Sequence, residues 1–212
     1  MISKEVENIL RAANYAKDPT KSYGGSKFYS GYHDLNLKGT IYKGQRDNSI
    51  RLSKINYDFK DKVVLDIGCN VGGVLHELSY KIKFGVGIDI NPNYINVANL
   101  IRDYNETKNL QFYVFDLDKT SLLKILEYFI PENKIDICCF LSMAKWVKKW
   151  AEVVKFCSSI CNDILFETNG NITEQNRQEQ IVRKNYTNVN IVYNKSLDDV
   201  SQHNRKLLLG RK

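Results

Sequence analysis

The chain lacks any long apolar run. No stretch approaches the ~20 apolar residues with which a helix crosses a bilayer, and residues 1–17 are charged, without the apolar centre of a secretory signal. Five cysteines are present, but no two have C-x-x-C spacing. The sequence therefore predicts a protein without membrane segments, located in the cytoplasm, with buried reduced thiols and no zinc or other metal site.

Repeats and low-complexity segments are also missing, so the 212 residues fit one globular unit with a sizeable core. The net charge of +7 has two interpretations. A basic protein favours an anionic partner such as nucleic acid, a phosphorylated sugar or a nucleotide-linked substrate. Alternatively, an AT-rich genome supplies many lysine, asparagine and isoleucine codons. Charge alone does not decide between them.

The most informative feature that is present is an apolar strand ending in a glycine turn. Residues 63–67 are followed by the pattern Asp66-x-Gly68-x-x-x-Gly72, and a helical pattern of apolar residues comes next. A second strand, residues 84–88, ends in Asp89. This order predicts half of a nucleotide-binding α/β sheet, in which glycine lets the backbone approach a ligand closely. The spacing differs from the G-x-G-x-x-G of dinucleotide-binding folds.

Strand and helix patterns alternate from about residue 50 onward, which predicts a parallel sheet covered on both faces. A polar link without a helical pattern joins the last two strands, which predicts an antiparallel hairpin at the C-terminus. We expect seven strands, at 63–67, 84–89, 110–115, 134–140, 162–167, 188–194 and 204–210. We expect helices at 2–16, 48–56, 72–81, 92–105, 119–129, 146–159 and 173–185.

Residues 18–50 have no sustained period and are rich in glycine, serine, tyrosine and lysine. A structureless segment of that length inside a compact domain is usually functional. We therefore expect residues 1–50 to form an N-terminal helix and a lid, and residues 51–212 to form the ligand-binding domain. The alternative is a strap that only covers the sheet edge.

The glycine turn and Asp89 resemble motif I and the following acid of the class I S-adenosylmethionine (SAM) methyltransferases. The resemblance covers residues ~50–212 and implies a Rossmann-like sheet, SAM as the cofactor and methyl transfer as the activity. The positions it matches to cofactor contacts are Arg46, Asp66, Gly68, Cys69, Asn70, Gly72, Asp89, Ile90, Asp116, Leu117 and Leu141.

Each contact has a structural alternative. The resemblance places Asp66 at the amino-acid end of the cofactor, Asp89 on the ribose hydroxyls, Ile90 against adenine and Asp116 at the adenine amine. Asp89 could instead cap the helix that begins at Pro92. Asp116 lies two residues before Asp118, which is a competing cap for the next predicted helix.

The N-terminal segment resembles the one that precedes motif I in the family of the tRNA wobble-uridine carboxymethyltransferase and in a related set of O-methyltransferases. By that resemblance Tyr42, Gln45 and Arg46 approach the methionine carboxylate or the acceptor. The run from Ser142 to Val147 also resembles a segment of methyltransferases that cap RNA 5′-phosphates. The Asn-Pro-Pro-Tyr motif of amino-group methylation is absent.

Three residues are candidates for catalysis. His33 and Glu167 are candidate bases for a hydroxyl acceptor, whereas Lys145 could align an acceptor that is already anionic. We expect O-methylation of a small molecule or glycan, with an anionic acceptor favoured. An RNA methyltransferase acting on a tRNA base or 5′-phosphate, and a non-catalytic SAM-binding partner subunit, are the alternatives. The oligomeric state is not predicted.

Overall fold

The computed structural model describes residues 2–17, 31–196 and 204–212. The start of the expected lid, residues 18–30, lies outside the described residues. Seven α-helices occur in the described part: α1 Lys4–Ala16, α2 Asn48–Ser53, α3 Gly73–Leu78, α4 Pro92–Tyr104, α5 Leu123–Phe129, α6 Trp150–Ile160 and α7 Ile172–Asn185.

The strands form a two-stranded hairpin and a seven-stranded sheet. They are β1 Leu35–Leu37, β2 Thr40–Tyr42, β3 Val63–Ile67, β4 Phe84–Asp89, β5 Leu110–Val114, β6 Ile137–Leu141, β7 Asp163–Glu167, β8 Asn188–Tyr193 and β9 Leu207–Arg211. The large sheet has the order β5-β4-β3-β6-β7-β9-β8. Its first five strands are parallel, and β9 runs antiparallel to both β7 and β8. The expected mostly parallel sheet with a C-terminal antiparallel hairpin is confirmed.

Strand β3 is central because both of its faces are buried. All five of its residues are buried, as expected for a parallel strand covered by helices on both sides. Leu65 and Ile67 belong to one core cluster with Phe140 and Val153, while Val64 packs into another on the opposite face. The alternation of β3 therefore divides the core into two layers.

The sheet extends to both sides of β3, and the chain changes side after β5. Strands β4 and β5 extend the sheet on one side, and β6 and β7 extend it on the other. This is a topological switch point, where the carboxyl ends of neighbouring strands open a crevice. The glycine turn lies at that point.

The N-terminal helix α1 packs on the domain. Its buried residues Val6, Ile9 and Leu10 join a cluster with residues of β1 and α4. The described part of the N-terminal segment is thus attached to the sheet domain through an apolar contact as well as through the polar contacts of the site.

Several expectations differ from the structure. The helix expected at 119–129 begins at Leu123, the one expected at 48–56 ends at Ser53, and the one expected at 72–81 ends at Leu78. The strands expected at 134–140 and 204–210 are Ile137–Leu141 and Leu207–Arg211. Hairpin β1–β2 lies in the segment for which we predicted no regular element; Lys38 and Gly39 both have positive φ, as a tight hairpin turn requires. The helix expected at 146–159 begins at Trp150, because Ala144–Trp146 forms a separate 3₁₀ turn.

Within the described residues, no helix is long and apolar enough to span a bilayer. Nor does that part of the chain bring three histidine, cysteine or acidic side chains together as a metal site.

Candidate active site

A cavity of about 680 Å³ lies at the carboxyl ends of β3, β4, β6 and β7. This volume is in the range of small-molecule and cofactor sites. The segment that contains Tyr32, His33 and Gln45 covers one side, and the loop after β6 forms the opposite wall. The sheet and the N-terminal segment therefore build the cavity together.

The glycine turn forms the floor of the cavity. Gly68, Cys69 and Asn70 line it, together with Asp66. Gly68 has φ +78°, and a Cβ there would lie 2.4–2.6 Å from the side chain of Met143. Only glycine fits without displacing that side chain.

Gly72 lies next to the cavity and is not part of its lining. It has φ +75° and precedes α3, and a Cβ there would meet the ring of Phe112. Gly72 allows the tight turn and the close packing of α3 against Phe112. It therefore shapes the cavity without lining it.

Asp89 lines the cavity with a fixed carboxylate. Its oxygens accept hydrogen bonds from the backbone N–H groups of Asn70, at 3.0 Å, and Asn91, at 2.9 Å. Asn91, not Asp89, caps α4, because its side chain accepts from the N–H of Asn93. The neighbouring Ile90 is 60% exposed beside this acid, although it is outside the lining. An acid and an apolar side chain at this strand tip suit a ribose and a base.

Asp66 is buried in β3 with its residue only 3% exposed. Burial is the largest cause that raises the pKa of Asp66 to about 7, and the nearby Arg51 opposes this shift. A carboxyl group with that pKa changes charge in the physiological range, so a cation bound against it would draw it into the ionised form.

Asp116 and Leu117 do not line the cavity. The carboxylate of Asp116 accepts from the backbone N–H groups of Asp118 and Lys119 and pairs with Lys119 Nζ at 3.2 Å. Leu117 is buried in the core. Asp118 does not cap α5, which begins at Leu123; its carboxylate accepts from two N–H groups of the loop after β6.

Glu167, at the end of β7, is the centre of a buried ion cluster. It is fully buried and outside the cavity lining. Arg46 donates two hydrogen bonds of 2.8 Å to it and Arg51 donates one of 2.8 Å. Tyr193 and Ser142 donate through their hydroxyl groups. Burial opposes ionisation, but Arg51 and Arg46 outweigh it and hold the pKa of Glu167 far below its ordinary value.

These contacts correct two roles expected from the sequence. Glu167 is a poor candidate base, because its carboxylate is committed to two arginines and has lost almost all proton affinity. Arg46 is 0% exposed and lies behind the cavity wall rather than in it. Glu167 and Arg46 are bound to each other, and Glu167 also holds Arg51 and Ser142 in position.

His33 lines the cavity but is a weak base. Its Nδ1 lies 3.1 Å from Asn48 Oδ1. Burial, followed by the charges of Arg51 and Arg46, lowers the pKa of His33 to about 3. The ring is therefore neutral at physiological pH and has little driving force to remove a proton from a hydroxyl group.

Cations missed by the sequence interpretation lie on the cavity wall. Arg51 and Arg205 line it together with Lys145, which was expected there. Arg205 donates to Tyr32 Oη at 2.9 Å and to Ser142 Oγ at 3.1 Å. Arg51 belongs to the segment that resembles the leader of the O-methyltransferases, but that resemblance gave it no role. Arg205 reaches the site only because β9 pairs with β7.

The loop after β6 is anchored to the tip of β7. Lys145 N–H donates to Asn169 Oδ1 at 3.0 Å, and Asn169 Nδ2 donates to the carbonyl of Ser142. Leu141 lies at the strand end and lines the cavity, as expected.

Comparison with known proteins agrees with this geometry. Residues 58–194 match a family model described as a methyltransferase domain. The chain is 28% identical over 153 residues to a U6 snRNA methylphosphate capping enzyme, Amus, of Drosophila melanogaster. That match covers 68% of this chain and 47% of the relative, so the chain spans about half the length of this curated protein.

Solved structures share the fold. The N-terminal domain of EvdMO1, determined in the presence of S-adenosylhomocysteine (SAH) and D-fucose, superposes with a TM-score of 0.68 at 10% identity. The superposition covers 99% of this chain and 97% of that one. The bifunctional kinase-methyltransferase WbdD superposes with a TM-score of 0.63 at 17% identity, covering 80% of this chain and 40% of that one.

Proposed function

The chain belongs to the methyltransferase-domain family and is a class I SAM-dependent methyltransferase, and we propose that it methylates an oxygen atom of an anionic acceptor. The acceptor class we favour is a phosphorylated or nucleotide-linked small molecule or glycan. The observation that carries this proposal is the pairing of cations on the cavity wall with a histidine that is a weak base.

The tips of β3 and β4 suit the cofactor. Asp89 is oriented by two backbone N–H groups to accept hydrogen bonds from both ribose hydroxyls, and Ile90 offers an apolar face for adenine. The Gly68 turn leaves room for the methionine portion, whose ammonium group Asp66 would bind. SAM supplies a methyl group on a sulfonium ion and leaves as SAH.

The acceptor side of the cavity favours an anion. A hydroxyl acceptor must lose a proton, but His33 has a pKa of about 3 and Glu167 is locked in the ion cluster. A phosphate or carboxylate oxygen is already nucleophilic and needs only alignment. Arg51, Arg205 and Lys145 place positive charge where it can orient such a group.

The relatives support two versions of this reaction. EvdMO1 was crystallised with a sugar, which supports a glycan acceptor. The fly relative is a methylphosphate capping enzyme, which supports an RNA 5′-phosphate as the second candidate. Both acceptors offer oxygen atoms to a methyl group, but only the name of the fly relative contains a phosphate.

A non-catalytic SAM-binding subunit is less well supported, because the glycine turn, Asp89 and the cation-lined acceptor side are all present in one cavity. The reducing cytoplasm is our proposed location, since all five cysteines are buried free thiols.

Methyl transfer from isotopically labelled SAM tests the proposal. The acceptor panel contains a hexose phosphate, a nucleotide-linked hexose, a 5′-triphosphorylated RNA and the corresponding neutral sugar. We expect labelled product with at least one phosphate-bearing acceptor and none with the neutral sugar. Efficient turnover of the neutral sugar would refute an anionic acceptor.

Arg205→Gln sharpens the test. It should raise the acceptor KM at least tenfold while the SAM dissociation constant stays within about twofold, because the residue approaches the acceptor side. Lys155→Gln, an exposed substitution on α6, is the matched control and should change neither constant. Loss of SAM binding in Arg205→Gln would assign this cation to the cofactor instead.

A further inference from the structure

Trp146 is an exposed aromatic side chain at the rim of the cavity. It is 63% exposed and yet forms part of the cavity lining. The backbone beneath it is fixed: its N–H donates to the carbonyl of Met143 at 2.8 Å, and the flanking Ala144 and Val147 are buried. The fold therefore holds a large ring in solvent next to the site.

One lysine contacts this ring, and two more lie close to it in sequence. Lys145 Nζ lies 5.9 Å from the ring centroid of Trp146. Lys148 and Lys149 follow in the turn before α6 and are exposed, while their backbone N–H groups donate to the carboxylate of Asp118. We call Lys145, Trp146, Lys148 and Lys149 the rim platform.

Lys145 belongs both to the rim platform and to the cavity lining, whereas the other two lysines of the platform lie apart from the inner cations. Arg51 and Arg205 lie on the cavity wall beside the buried ion cluster, whereas Lys148 and Lys149 are on the outer surface. An acceptor that contacts both the wall cations and the outer lysines must be longer than a single sugar phosphate and must carry more than one anionic group.

We propose that the rim platform binds the nucleobase of the acceptor, and that the acceptor contains a nucleoside 5′-phosphate unit. The base stacks on Trp146, and the outer lysines contact phosphates that lie next to it. Exposed aromatic rings beside cations are how proteins bind bases without sequence preference, since every base has a π-face. This inference rests on the proposed function and narrows its acceptor to two sources, a nucleotide-linked sugar or an RNA 5′ end.

Fluorescence tests the base contact directly. The chain has two tryptophans, so a Trp150→Phe background leaves Trp146 as the reporter. UDP-glucose and a 5′-triphosphorylated ten-nucleotide RNA are titrated against glucose 1-phosphate in the presence of SAH. We expect saturable quenching with the first or second probe and none with the third. Binding of both nucleotide probes without any change in Trp146 emission would overturn the base contact.

Kinetics provide the second arm. Trp146→Ala should raise the KM of the nucleotide-containing acceptor about 5- to 100-fold, from the usual strength of base stacking, whereas Trp146→Phe should retain most of the affinity. SAM binding should not change. The control is Tyr128→Ala, which removes an equally exposed aromatic ring, 64% exposed, from α5.

The two sources are distinguished by salt. The double variant Lys148→Ala with Lys149→Ala should lower the salt dependence of RNA binding by roughly two units of slope, and should affect UDP-glucose much less. An unchanged KM of the nucleotide-containing acceptor in Trp146→Ala would overturn this inference while leaving the anionic-acceptor proposal intact. If no phosphate-bearing acceptor is methylated, the proposed function fails, and the fluorescence titration still decides the base contact.

Discussion

Replacing Glu167 by glutamine removes the negative charge from the centre of the buried ion cluster. Arg46 and Arg51 are then left beside a neutral amide, at 0% and 2% side-chain exposure. Breaking a buried ion pair on one side typically costs about 3–5 kcal/mol, because the remaining charge stays desolvated. Two arginines face the same carboxylate, so we expect the upper part of that range.

The assay is thermal unfolding supported by urea denaturation. For a domain of this size, each kcal/mol lowers the melting temperature by about 2–4 °C, so a loss of about 4–5 kcal/mol should make Glu167→Gln melt about 8–20 °C lower than wild type. Glu179→Gln is the control. Its carboxylate pairs with Lys206 and Arg183 nearer the surface, at 16% side-chain exposure, and the loss should stay below about 1 kcal/mol.

The pH dependence of the protein's stability follows from the direction in which folding shifts the pKa of Glu167. The folded protein lowers the pKa of Glu167. The contribution of this carboxylate to the free energy of unfolding is therefore complete above its unfolded pKa of about 4.3. It is lost as the pH falls toward the folded pKa. The stability difference between wild type and Glu167→Gln should therefore be constant from pH 8 to 5 and shrink in stronger acid. A variant that melts within about 2 °C of wild type, but has lost kcat, would refute this reasoning and restore Glu167 as a base.

Three further predictions concern the cofactor side. Asp89→Ala should weaken SAM binding by about 1.5–3 kcal/mol, the range for hydrogen bonds to a charged group, whereas Asp116→Ala should change it little because that carboxylate is bound in its own turn; calorimetry with SAM measures both, and equal losses would contradict the assignment. SAM affinity should rise roughly tenfold from pH 6 to 8, because Asp66, with its pKa raised to about 7, must be ionised to hold an ammonium group. Asp66→Asn should bind SAM without this pH dependence, and a pH profile that persists in the variant would exclude Asp66 as its source. Gly68→Ala should lose SAM binding and more stability than Gly39→Ala, since both residues have positive φ but only Gly68 has a side chain within 4 Å of the added Cβ; similar melting temperatures would show that the close approach is tolerated.

The fold was accessible from the sequence because its signals are local. Residues 63–67 form β3 as expected, and 84–89 form β4, since each is a short apolar run bounded by turn residues. The hairpin β1–β2 was also within reach: alternating residues flank Lys38-Gly39, a turn pair with positive φ. It was missed because each strand has only three residues.

The residues proposed for the cofactor could likewise be grouped from the sequence, since they are close along the chain. Asp66, Gly68 and Asn70 lie within one turn, and Asp89 follows by one helix and one strand. The predicted contact of Asp116 with adenine remains a prediction. The carboxylate of Asp116 accepts hydrogen bonds from two backbone N–H groups of its own turn. The sequence pattern does not reveal these contacts.

The acidic and basic residues of the acceptor side gained their roles only on folding. Glu167 lies 121 residues from Arg46 and 116 from Arg51 along the chain, and Arg205 joins them through the antiparallel pairing of β9 with β7. Sequence patterns specify periodicity, turns and glycine positions, because these depend on neighbours in the chain. Whether a carboxylate is a base or a buried counter-ion depends on which cations surround it and how much water is excluded, and both are set by the packing of distant segments.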